Sequence, residues 1–132
     1  MRIRSHTIRV LTAAVLMAGG LTAATTATAT AAPATAQSCY GSAKSYATDS
    51  YNQWPAFPSG WAYATSNCAD INVKPSSGTN VRTCFATSSG SYYCNAYRWI
   101  AGGTWGLAAT DVKDGTKFHL QFDRYSSGLV AY

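Results

Sequence analysis

Val81-Arg82-Thr83-Cys84-Phe85, Ser88-Ser89-Gly90-Ser91 and Tyr93-Cys94-Asn95-Ala96-Tyr97 follow one another as two β-favouring runs around a turn-favouring cluster. Folding the chain back about Ser89 sets Cys84 directly opposite Cys94, close enough for a disulfide to bridge the two strands. Four cysteines allow three pairings, and this local argument selects one, leaving Cys39 to pair with Cys68. The spacing lacks a CxxC element and only His119 could assist, so a disulfide framework is preferred to a zinc site.

Working outward, short strand candidates recur at Trp61 to Thr65, Ala69 to Val73, Val81 to Phe85, Tyr92 to Ile100, Trp105 to Val112, Lys117 to Phe122 and Leu129 to Tyr132. Turn clusters separate them at Ser76-Ser77-Gly78, Ser88 to Ser91, Gly102-Gly103, Asp114-Gly115 and Ser126-Ser127-Gly128. Asp114-Gly115 predicts a tight hairpin, because such turns need positive φ. Beyond it, Phe118, Leu120 and Phe122 alternate with His119, Gln121 and Asp123, so one face of that strand is buried and the other, with His119, faces solvent. The pattern predicts an all-β domain, a small antiparallel β-sandwich or barrel with two disulfides.

The chain opens with Arg2, Arg4 and Arg9, an apolar stretch from Ile8 to Ala18 and a small-residue run ending Ala34-Thr35-Ala36. That order predicts a secretory signal peptide over residues 1–36, too short in its apolar part for a membrane anchor. A secreted, extracellular product follows, with no membrane contact after cleavage. Residues 37–60 hold Tyr40, Tyr46, Tyr51, Trp54 and Phe57 without a period of two and are expected to form an irregular aromatic-rich segment; residues 61–132 form the β domain. Ninety-six residues from Gln37 to Tyr132 suffice for one domain with a modest core.

Charge narrows the partners. Of the ten basic residues, seven lie beyond the leader against five Asp, so the net charge of the whole chain, +5, falls to +2 for the exported part. Those charges are scattered singly rather than in a basic stripe, which argues against a nucleic-acid partner.

Catalytic groups are sparse. No G-x-S-x-G elbow is present, and no Gly-rich phosphate loop follows a strand and opens a helix. His119 is the one histidine beyond the leader, and Asp123 lies four residues away, roughly 13 Å along an extended strand. Among Asp49, Asp70, Asp111, Asp114 and Asp123, nothing places two carboxylates at the separation that glycoside hydrolysis requires. The oxidised cysteines offer no thiol. The reading is therefore a protein that is not an enzyme and needs neither cofactor nor metal.

The composition, rich in Tyr, Trp, Ser, Asn and Gly, is instead that of binding surfaces, where rigid aromatics supply contact area and small polar residues adaptable hydrogen bonds. The expectation is a secreted protein-binding module, an inhibitor or an adaptor subunit of an extracellular assembly. The alternative is a carbohydrate or cell-wall binding module, its aromatic rings stacking on a polysaccharide. The hairpin register turns Val81, Phe85, Tyr93, Tyr97 and Trp99 toward the core and Arg82, Tyr92, Cys94, Ala96 and Arg98 outward. Arg82, Tyr92 and Arg98 are thus the expected anchor residues. Trp54, in the aromatic segment, is the remaining candidate contact.

With its leader, the run Cys68-Ala69-Asp70-Ile71-Asn72-Val73-Lys74 through Asp111-Val112-Lys113-Asp114-Gly115-Thr116 resembles the small secreted proteins of streptomycete-type actinobacteria, a resemblance that brings no activity with it. A fainter similarity is to the secreted α-amylase inhibitors, two-disulfide β-sandwiches presenting a Trp-Arg-Tyr triplet. Tyr97-Arg98-Trp99 has the reverse order and lies on a strand, and only nine residues separate Cys84 from Cys94. No inhibitory residue is carried across.

Overall fold

In the computed structural model Cys84 lies directly opposite Cys94 and is bonded to it, and Cys39 is bonded to Cys68. The structure describes residues 34–58 and 60–132; the expected signal segment lies outside them apart from Ala34-Thr35-Ala36, which open a short helix. In chain order the elements are α1 (Ala34–Gly41), β1 (Lys44–Ala47), β2 (Gln53–Trp54), β3 (Ala62–Tyr63), β4 (Ile71–Pro75) and β5 (Thr79–Ala86). They continue with β6 (Tyr92–Cys94), β7 (Arg98–Ile100), β8 (Gly106–Ala109), β9 (Lys117–Phe122) and β10 (Ser127–Ala131). Among the described residues no helix is long and apolar enough to cross a membrane.

The fold is all-β and sandwich-like, with two antiparallel sheets. One runs β1-β10-β4-β8. The other is built on the central pair β9 and β5; β2 and β3 lie in succession along β9, and β6 and β7 in succession along β5. Alternation puts Ile71, Val73 and Val130 of the first sheet against Val81, Phe118, Leu120 and Phe122 of the second, all buried. Each such side chain contributes on the order of 1.5–3 kcal/mol relative to exposure. Thr83 lies on this inner face and stays satisfied, because its hydroxyl donates to the Ala108 carbonyl of the opposite sheet at 3.1 Å.

Two expectations are corrected here. Residues 37–60 are less irregular than expected: Cys39 ties the segment to Cys68, and within it β1 pairs with β10 and β2 with β9. Tyr46 is the inward residue of β1, stacked on Phe122 at 5.2 Å with its hydroxyl 2.8 Å from that of Ser126. Asp114-Gly115 does make a turn, with Thr116 N–H donating to the Lys113 carbonyl and Gly115 at φ 83°. The turn joins β8 to β9, which belong to different sheets, so it closes a crossover and not a hairpin.

Candidate functional site

The outward face of the larger sheet holds a dense set of aromatic and polar side chains, placed by strand register. Pairing sets Asn80 opposite Trp99, Arg82 opposite Gln121, Cys84 opposite both Cys94 and His119, and Ala86 opposite Tyr92. Gln53 and Tyr63 flank Gln121 and Lys117 from the far side of β9.

Trp99 takes this face because of an irregularity between β6 and β7. From the Cys84–Cys94 pair to the Val81–Arg98 pair, β5 advances three residues and its partner four. The extra residue makes a bulge and reverses which side chains point out. Asn95 replaces the interrupted ladder: its side-chain oxygen accepts from Thr83 N–H at 2.7 Å, its own N–H donates to the Thr83 carbonyl, and its amide donates to the Ala108 carbonyl.

The sequence reading of this face is corrected accordingly. Tyr93, Tyr97 and Trp99 were assigned to the core and are instead exposed, Trp99 to 61%. Arg98 is exposed but pairs with Val81, so it does not share the face of Arg82. Trp54 pairs with Leu120, a core residue, and packs between Tyr46 and Tyr132 at 6.3 and 6.0 Å, so it supports the core. Arg82 and Tyr92 are where the register put them. His119 does lie on the outward face, yet it is 2% exposed.

That burial comes from Trp61 and Tyr92, whose rings meet the imidazole nearly edge-on at 4.7 and 5.0 Å. Arg82 donates through Nε and Nη2 to the Gln121 side-chain oxygen at 3.0 and 2.7 Å, with its guanidinium 4.8 Å from the Tyr97 ring centre. Arginine only donates, so it fixes the Gln121 amide with the oxygen toward itself. The Gln121 nitrogen, 3.2 Å from His119 Nε2, must then donate to it. His119 is therefore a neutral imidazole with its proton on Nδ1, a buried atom with no hydrogen-bond partner. Burial first, and the Arg82 charge second, hold its pKa below the ordinary histidine range. A proton on Nε2 would oppose the Gln121 N–H and add a second charge beside Arg82.

Around this relay, Lys117 Nζ sits over the Trp61 ring at 5.2 Å. Trp99 rests on Gly78, where an added Cβ would come within 2.5 Å of the ring. Among the described residues Arg124–Asp123 is the one ion pair, at 2.9 Å, and the Asp123 carboxylate also accepts from Asn80 and Thr79. Arg82 and Lys117 thus have no carboxylate partner. The face offers donors, cations and aromatic surface, with no nucleophile and acid set around His119. A separate open cleft of about 290 Å³ is lined by Phe85, Tyr93, Asp111 and Lys113 among others.

Trp61, Tyr97, Trp99, Lys117 and Gln121 were not singled out from the sequence as site residues. The alternation on β9 was the one signal that could have grouped Lys117, His119 and Gln121. Comparison with protein-family models, curated proteins and solved structures returns no match.

Proposed function

We propose that this protein is a secreted, non-catalytic module that binds another extracellular protein through the outward face of its six-stranded sheet, as an inhibitor or an adaptor subunit. The observation that carries the reading is the half-buried Arg82, stacked on Tyr97, on an outward face that also presents exposed Trp99 and Tyr92 and is braced by the Cys84–Cys94 disulfide. Arg, Trp and Tyr dominate interface hot spots, where a rigid, partly desolvated anchor loses little freedom on binding. Two disulfides are typical of extracellular proteins, which fits a partner met outside the cell.

A polysaccharide is the second reading, favoured by the open ring of Trp99 on its glycine seat. Against it, one ring face of Tyr97 and one of Trp61 are already taken by Arg82 and Lys117.

The test is affinity capture from native culture supernatant with the wild-type protein, a Tyr97→Ala/Trp99→Ala variant and Tyr40→Ala, an exposed aromatic stacked on Trp105 beside Lys74 of the other sheet. One protein retained at fixed stoichiometry by the wild type and by Tyr40→Ala, and lost by the double variant, supports the proposal. Retention on insoluble chitin, cellulose or peptidoglycan that soluble sugar competes away would replace it with the polysaccharide reading.

A further inference from the structure

We infer that the partner meets this face with an acidic segment, one carboxylate side chain received by Arg82 and a second by Lys117; the inference rests on the protein-binding reading above. The ground is a mismatch between donors and acceptors. Arg82 spends two of its N–H groups on the neutral oxygen of Gln121, leaving the rest of the guanidinium fork unspent and the charge uncompensated. Asp123, the carboxylate on this face, is committed to Arg124, Asn80 and Thr79. What completes the face must bring acceptors and negative charge.

Carboxylate fits better than an apolar group. Gln121 and Tyr97 hold the guanidinium plane fixed, so its planar fork is arranged for bidentate pairing before a ligand arrives. Tyr97 covers one face of the guanidinium and keeps water from that side of the pair, and an ion pair gains strength as water is removed. Lys117 stands four residues from Gln121 along β9, roughly 13 Å between backbones, so the two cations are placed in separate rows of the face. An extended segment with acidic residues four apart spans that distance.

The neighbouring imidazole supplies an independent readout. The groups facing His119 are Arg82 from β5, Lys117 and Gln121 from its own strand, Tyr92 from β6, the Cys84–Cys94 disulfide, and Trp61 from the chain before β3. A carboxylate on Arg82 removes the repulsion felt by an imidazolium, so the titration midpoint of His119 rises when the site is filled.

The probe is poly-L-glutamate, with polygalacturonate as the second arm, titrated into the purified protein at low and physiological salt. Binding is followed by calorimetry and His119 by NMR. Wild type is expected to bind poly-L-glutamate more tightly than polygalacturonate, with an upward shift of the His119 midpoint. Arg82→Gln should weaken binding on the order of tenfold and lose the ligand-induced shift. Arg82→Lys keeps the charge and loses the fork; intermediate affinity in that variant separates recognition from folding. No binding of poly-L-glutamate, or equal binding by a folded Arg82→Gln, overturns the inference. Tighter, Arg82-dependent binding of polygalacturonate overturns it in favour of an acidic polysaccharide. Partner capture that needs Trp99 and Tyr97 but not Arg82 leaves the protein-binding reading standing and removes the acidic segment alone.

Discussion

Replacing each disulfide in turn with a pair of alanines should order stability one way and binding the other. In the loop-entropy model the bond between Cys39 and Cys68, 29 residues apart, contributes about 3.6 kcal/mol. The bond between Cys84 and Cys94, 10 apart, contributes about 2.7 kcal/mol. Against a net stability on the order of 5–15 kcal/mol for a domain of this size, either loss is large, and the Cys39→Ala/Cys68→Ala loss is the greater. Their places in the fold differ. Cys39 and Cys68 anchor α1 beside Ala131, away from Arg82. Cys84 and Cys94 lie on the outward face itself, and β6, three residues long, is held to β5 by that bond and a short ladder. Opening it frees Tyr92, which covers His119. Urea unfolding followed by tryptophan fluorescence gives the stability order, and capture of the partner by each folded variant gives the binding order. If Cys84→Ala/Cys94→Ala proved the less stable of the two, or if Cys39→Ala/Cys68→Ala lost more binding, this assignment of roles would be refuted.

Three further outcomes are expected. The unfolded chain takes up a proton on His119 below about pH 6.5 while the folded chain resists it, so unfolding free energy is full above that pH and declines as pH falls from it through the depressed folded value. In His119→Gln, urea titrations at a series of pH values should show this step absent and leave only the acid step below about pH 4, where Asp123, held low first by Arg124 and then by Asn80, and Asp49, held low by backbone N–H groups against the pull of burial, take up protons. Gly78→Ala should hold or raise the thermal midpoint, since Gly78 does not need a left-handed backbone, while displacing Trp99 and weakening partner capture; unchanged capture would remove Trp99 from the interface. Phe118→Ala, at a fully buried position packed on Tyr132, should cost about 3–5 kcal/mol in urea unfolding, and a loss under about 1 kcal/mol would place the core elsewhere.

Where local chemistry decides, the fold was legible from the chain. Cys84 opposite Cys94 follows from a turn and two short runs, and Phe118, Leu120 and Phe122 point inward as their spacing requires. β1 was missed because Tyr46 is its one buried side chain, and a single inward residue among small ones shows no period. The site was less legible because the bulge at Asn95–Tyr97 depends on contacts that Asn95 makes with Thr83 and with Ala108 of the other sheet. One inserted residue turned Trp99 outward and Arg98 away from Arg82. His119 was placed on the right face, but its burial depends on Trp61, 58 positions earlier, and no local pattern encodes that cover.

The order in which the strands enter the two sheets bears on how the molecule comes to exist at all. β10 lies between β1 and β4, and β9 lies between β2 and β5, so one of the two interior strands of each sheet comes late in the chain. Neither sheet can assemble from earlier segments alone. β5 pairs with β6 and then with β7, both close in the chain, whereas β1, β2, β3 and β4 wait for partners far along it, which makes folding slow relative to local-contact folds. A chain emerging from its amino end therefore completes neither sheet until β9 and β10 are available. The Cys84–Cys94 hairpin is the piece able to close first, and its oxidation would set the floor on which the rest of the outward face is later laid.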